Sequence, residues 1–125
     1  MRVLLADDRA RVRWALRVLL EQQPGVHIVG EAVDAEGLLA QAEAGRPDLV
    51  LLDWDLPGLH ADGALSAWRT ICPGSYVIAL SGRPEARQAA LAAGADAFVS
   101  KGDPPDRLLA AIFSPDARCN WGEFA

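Results

Sequence analysis

This 125-residue chain predicts an α/β fold: a doubly wound parallel sheet with helices on both faces. Three observations carry that prediction. Short apolar runs of strand length alternate five times with longer amphipathic or alanine-rich segments. The connections between them are short. The run Leu49 to Leu52 is continuously apolar yet too short for a buried helix, so it reads as a strand covered on both faces. The length suits one domain with one core, and 51% hydrophobic with 23% charged residues is ordinary for a globular protein.

Arg2 to Ala6 is a compact apolar strand ending in Asp7-Asp8. Arg9 to Gln23 follows as a helix, because Val12, Leu16, Leu19 and Leu20 fall at i, i+4, i+7 and i+8 on one stripe. Asp8 is expected to cap its start, and Pro24-Gly25 to end it. Val26 to Ala32 is the second strand. Asp34 is the expected N-cap of a helix over Ala35 to Ala44, closed by Gly45 and Pro47. Leu49 to Asp53 is the third strand, and Pro57-Gly58 turns the chain after it. A third helix starts at Ala61 or Asp62 and runs to about Ile71, stopped by Pro73-Gly74. Tyr76 to Ser81 is the fourth strand. Pro84 fits the first turn of an alanine-rich fourth helix that ends at Gly94. Ala97 to Ser100 is the fifth strand, and Asp103-Pro104 opens a short helix ending near Phe113. Residues 1–113 are thus expected to form the domain, with residues 114–125, including Trp121, as a C-terminal tail.

Right-handed crossovers put the carboxyl end of every strand on one edge of such a sheet, where ligands bind in open α/β folds. Asp7, Asp8, Asp53, Ser81 and Lys101 each lie at or just past a strand end, so they should converge there. Three carboxylates together repel one another unless a cation or protons intervene. Mg²⁺ suits such a group, being hard and satisfied by carboxylates, carbonyls and waters. The expected arrangement has Asp8 and Asp53 as direct ligands, Asp7 acting through water and the Asp55 backbone carbonyl adding an oxygen. Lys101 supplies a mobile point charge and Ser81 a hydroxyl donor. These are the parts needed to hold a phosphoryl group, with a carboxylate as nucleophile and the cations neutralising the equatorial oxygens. Each residue also has a plainer role. Asp7 and Asp8 fit as helix caps, Lys101 as a salt bridge, and Ser81 as a turn or helix cap.

The rest of the composition mostly excludes. A net charge of −5 without a Lys/Arg cluster argues against direct nucleic-acid binding. No apolar run has membrane-spanning length, and the start shows no signal-peptide pattern. Cys72 and Cys119 have neither metal-type nor disulfide-framework spacing, so a reduced cytoplasm is expected. His27 and His60 form no visible triad or metal motif.

The chain resembles the receiver domains of bacterial two-component response regulators. The resemblance covers residues 2 to about 113. It rests on Asp7-Asp8 after the first strand, Asp53 with Leu56-Pro57-Gly58 after the third, Ser81 after the fourth and Lys101 after the fifth. The wording Ala6-Asp7-Asp8, Gly30-Glu31-Ala32, Arg46-Pro47-Asp48 and Ala92-Ala93-Gly94-Ala95 is similar to a subgroup commonly joined to a helix-turn-helix DNA-binding domain. The resemblance implies a flavodoxin-like (βα)5 three-layer sandwich with strand order 2-1-3-4-5. It implies Asp53 as phosphoacceptor, Asp7 and Asp8 as Mg²⁺ carboxylates, and Ser81 with Lys101 as the phosphate-sensing pair. Phe98 matches the family's switch aromatic; its plainer role is an ordinary core aromatic. Asp55 and Arg83 occupy the positions that tune water access to the phosphoryl group, or are a solvated surface pair. The implied partners are a sensor histidine kinase or phosphotransfer protein, and a second copy through helix 4–strand 5–helix 5 or the helix 1/helix 5 surfaces. The implied activity is self-phosphorylation and autodephosphorylation rather than turnover.

Four departures stand out. The Gly closing the loop after Asp53, Gly63, comes about two residues later than the family pattern has it. Lys101 is followed by Gly102 rather than proline. The fifth helix is short and the tail Cys119-Asn120-Trp121 matches no known pattern. No DNA-binding domain follows within these residues. Two other classes remain open on sequence alone. Asp53-Trp54-Asp55 resembles the opening motif of haloacid-dehalogenase-type phosphatases, although the acidic pair then precedes the nucleophile instead of following it. A receiver-like interaction module working without phosphorylation is the other.

Overall fold

The computed structural model describes residues 1–61 and 63–114. Five parallel strands, β1 (Arg2–Ala6), β2 (His27–Ala32), β3 (Leu49–Asp53), β4 (Tyr76–Ser81) and β5 (Ala97–Ser100), lie in the order β2-β1-β3-β4-β5. Between and after them run α1 (Ala10–Glu21), α2 (Ala35–Gly45), α3 (Ala64–Ile71), α4 (Arg87–Ala92) and α5 (Pro105–Ile112). This is the doubly wound sandwich expected. Its period-two alternation divides the core into two layers. Leu4, Val50, Leu52, Val77, Ala79 and Phe98 pack toward Leu38, Leu65, Trp68 and Ala90 of α2, α3 and α4. Val3, Leu5, Leu49, Leu51, Ile78 and Val99 pack toward Leu20 of α1 and Leu108 and Ile112 of α5. The central strand β3 is buried at every position, which is why its sequence is apolar without alternation.

The strands lie where their apolar runs put them, and helix ends differ in instructive ways. Asp34 does cap α2, accepting the Gly37 N–H at 2.8 Å. Asp8 does not cap α1. The capping position is Arg9, which makes no side-chain cap; Asp7 Oδ1 accepts the Arg9 N–H at 2.9 Å, and Asp8 is exposed. Helix α3 starts at Ala64, later than Ala61 or Asp62, because Gly63 enters at φ 65°, a left-handed conformation that favours glycine. Asp103 is not the cap of α5. Its carboxylate instead accepts the Ser100 N–H at 3.2 Å, and Pro104 and Pro105 open the helix. Arg46, not Gly45, takes the left-handed position after α2. The fourth helix opens with a 3-10 turn at Pro84–Ala86.

Two further features went unforeseen. The β1–β2 register slips between Val3 and Leu4, placing Gly30 opposite Leu4. A side chain at Gly30 would run into the Gln41 amide oxygen, so the bulge is set against α2. The apolar stripe of α1 is only partly covered: Leu20 is fully buried, while Val12, Leu16 and Leu19 are half-buried. They line a cleft of about 370 Å³ between α1 and α5. Glu31 on the edge strand β2 ties α1 to the sheet through Arg13 and Arg17, each at 2.6 Å. The Arg17 hydrogen bond, with smaller help from Arg13, outweighs partial burial and holds the Glu31 carboxyl below its usual range. Of the expected tail, residues 114–125, all but Ser114 lie outside the described residues. No helix among the described residues is long and apolar enough to cross a membrane.

Candidate functional site

The carboxyl ends of β1, β3, β4 and the turn after β5 meet, as parallel topology requires. Asp7 follows β1 and is 1% exposed; Asp53 ends β3 and is 4% exposed. Asp8 lies beside them on the solvent side. Asp7, Asp8 and Asp53 each bring an oxygen to within 4.8 Å of the others. Lys101 reaches across from the turn after β5. Its Nζ is 2.7 Å from Asp7 Oδ2 and 3.2 Å from Asp53 Oδ1. The turn that aims it is set by two backbone contacts: Lys101 N–H to Ser81 O at 2.8 Å, and Asp103 N–H to Ser100 O at 3.0 Å.

Burial is the largest influence on Asp53 and raises its carboxyl above the usual range. The Asp55 N–H, donating to Asp53 Oδ1 at 3.1 Å, opposes that shift, and the nearby charge of Asp7 adds to it. Lys101 lowers the Asp53 value without cancelling the rise. Burial would lower Lys101, yet the hydrogen bond to Asp7 and the charges of Asp53 and Asp7 outweigh it, so its ammonium is held above the usual range. Both partners therefore shift upward: the lysine is surplus-stabilised while the acids still crowd one another.

Ser81 ends β4 and is fully buried. Its Oγ accepts the Arg83 N–H at 3.0 Å and lies 3.5 Å from Asp55 Oδ2. Arg83 and Asp55 pair at 2.7 Å with about half of each side chain exposed. The hydrogen bond to Asp55 is the main reason the Arg83 guanidinium is held above its usual range. Phe98 is 8% exposed and sits in the core layer with Ala79, Ala86 and Ala90. The ring is already packed into the core in this structure.

One contact was not legible in the sequence. His60 Nε2 lies 2.5 Å from Trp54 O, with the two rings edge to face at 4.5 Å. Neither its spacing from Asp53 nor its neighbours signal that bond, since it depends on how the shifted loop turns. Leu56 and Leu59, each 2% exposed, are the sequence features that pin the loop down.

The geometry suits a hard cation and a tetrahedral anion. Three acids offer oxygens of the kind Mg²⁺ takes, while an ammonium and a hydroxyl flank them. The family description for the response regulator receiver domain matches residues 3–113. The chain belongs to that family. The receiver is 33% identical over 112 residues to the nitrate/nitrite response regulator protein NarL of Escherichia coli, covering 88% of this chain and 52% of that protein. It is 36% identical over 117 residues to the response regulator UvrY of E. coli, covering 90% and 52%. The chain thus spans about half the length of these curated relatives. Among solved structures, a LuxR-family two-component response regulator from an Aurantimonas species superposes with a TM-score of 0.79 at 30% identity, covering 95% of this chain and 93% of that one. This receiver is a signalling domain of a family that is generally non-enzymatic.

Proposed function

We propose that residues 1–113 accept a phosphoryl group on Asp53 from a phosphohistidine of a sensor histidine kinase or phosphotransfer protein, and relay that event by a change of surface. The observation that carries this reading is Lys101 bridging the two buried acids, Asp7 and Asp53, at the mouth of a carboxylate cluster. Both Asp53 contacts fall on Oδ1, so Oδ2 is the oxygen assigned to attack. A P–O bond forms from Oδ2 while the donor's P–N bond breaks, and the electron pair returns to the imidazole nitrogen. Asp7, Asp8 and Asp53, with the Asp55 backbone carbonyl, would hold Mg²⁺, which when bound supplies charge neutralisation at the phosphoryl oxygens. Lys101 exchanges its carboxylate contact for a phosphoryl oxygen, and the Ser81 hydroxyl turns from Asp55 to another. In hydrolysis, water attacks phosphorus, the P–O bond to Asp53 breaks and the carboxylate returns.

Moving Ser81 releases its hold on the turn before α4, which biases the α4–β5–α5 surface. Phe98 acts in this scheme as the packing element behind Ser81, already seated. The output is an attached or associated partner, with homodimerisation through α4–β5–α5 or α1/α5 as the family's routes. A cytoplasmic location fits the chemistry of a phosphohistidine donor.

The test is phosphoryl incorporation from acetyl phosphate, with and without Mg²⁺, read by intact mass. One phosphoryl group per chain with Mg²⁺ and none without is expected. A folded protein that takes none with Mg²⁺ would overturn the reading.

Asp55 and Arg83 pair across the mouth at 2.7 Å, and in this reading they restrict water. Asp55→Ala should shorten the acyl phosphate lifetime about two- to fivefold, what a surface ion pair worth up to ~1 kcal/mol supports. The check is loss of the phosphorylated mass with time after removal of donor; an unchanged lifetime removes the pair from the mechanism.

A further inference from the structure

The peptide group joining Trp54 to Asp55 is held at both ends. Its N–H donates to Asp53 Oδ1 at 3.1 Å, and its carbonyl, Trp54 O, meets His60 Nε2 at 2.5 Å. A carbonyl oxygen only accepts, so the proton of that bond lies on Nε2. The amide is planar and stiff. A contact on its oxygen therefore also directs the N–H at its other end, which points at Asp53. Polarising the carbonyl strengthens the same amide as a donor.

The histidine is well placed to do this. Its ring stands edge to face with Trp54, at 4.5 Å between centroids and 69° between planes. Trp54 is 6% exposed and its own N–H is tied to Leu80 O on β4 at 2.7 Å. Leu56 N–H donates to Asp53 O at 3.1 Å and Leu59 N–H to Leu56 O at 3.0 Å, which curls the loop back so that His60 reaches Trp54. The curl of the loop after Asp53 is thus what brings a side-chain donor to this peptide.

We propose that His60 is a positioning residue for Asp53, acting through the Trp54–Asp55 peptide. It keeps the Asp55 N–H on Asp53 Oδ1, beside the Lys101 contact on the same oxygen, and so leaves Oδ2 free to attack. The proposal rests on Asp53 as the phosphoacceptor.

Two variants of the full chain separate donor from packing. His60→Phe keeps a ring against Trp54 and loses the donor; His60→Gln keeps an N–H donor. The readouts are hydrogen exchange and proton shift of the Asp55 amide by NMR, and the rate of phosphoryl uptake from acetyl phosphate. In His60→Phe, Asp55 exchange should quicken about tenfold, the scale of one hydrogen bond, its proton shift should move upfield, and uptake should slow severalfold. His60→Gln should stay within about threefold of wild type on both rates. Wild-type Asp55 exchange in His60→Phe would overturn the proposal, as would equal losses in both variants, which would mean that ring packing is what matters. Absence of uptake by the wild-type protein would instead overturn the Asp53 reading, and the Asp55 amide still judges the His60 bond.

Discussion

Lys101→Met is expected to destabilise the receiver by about 3 kcal/mol at neutral pH, the lower end of the cost of breaking a buried ion pair because Lys101 is partly exposed. Lys101 bridges Asp7 and Asp53, both nearly inaccessible to solvent, at 2.7 and 3.2 Å. Methionine fills similar space and leaves the carboxylates to repel each other. Urea unfolding should show a lower midpoint with an unchanged slope. The pH dependence follows from two upward shifts. In the wild type, the Lys101 ammonium is held above 10.5 in the fold, so its contribution is complete below 10.5 and lost as pH rises through the raised value. In the variant, Asp53 loses the one charge that lowered it, and its carboxyl, already above 3.8, rises further. The native state then holds a proton that the unfolded chain gives up, so the deficit narrows as pH falls through that raised value toward 3.8. Added Mg²⁺ should narrow it too, because it binds the native cluster and competes with no Lys101 ammonium in the variant. An unfolding midpoint equal to wild type at neutral pH would show that the bridge carries no stability.

Asp53→Asn should separate function from stability. Phosphoryl uptake from acetyl phosphate should fall from one group per chain to none, because the amide is not a nucleophile of the required kind. Stability should rise, by on the order of 1 kcal/mol, because burial and the charge of Asp7 make an ionised Asp53 unfavourable despite Lys101. For a domain of this size that is a melting point higher by roughly 2–8 °C. The Lys101–Asp7 contact at 2.7 Å survives in the variant and keeps the ammonium paired. A melting point lowered by several degrees would show instead that Asp53 is a structural anchor. Uptake retained by the variant would place the acceptor on another acid of the cluster.

These outcomes turn on residues of unequal visibility in the sequence. The strands were legible because β3 and β4 are apolar at nearly every position and are bounded by Pro, Gly and acidic residues. Parallel pairing then sends their ends to one edge, so Asp7, Asp53, Ser81 and Lys101 could be grouped before any distance was known. Helix starts were less legible. Asp8 and Asp103 both sit where a cap belongs, yet neither caps. Asp7 accepts the Arg9 N–H with one oxygen while Lys101, 94 residues away, holds the other. Asp103 is drawn to the Ser100 N–H by the turn that aims Lys101.

By itself, then, the sequence determined the doubly wound sheet, its five strands to within a residue and which residues stand at its carboxyl edge, because these follow from local periodicity and the handedness of the chain. Tertiary structure alone decided which acid accepts the Arg9 N–H ahead of α1, which oxygen of Asp53 is occupied, that Phe98 is seated inward, and that His60 reaches the Trp54 carbonyl. Each of those is a choice between partners of equal local suitability. It is settled by groups distant along the chain or by the path of a loop, and neither leaves a periodic trace in the residues themselves.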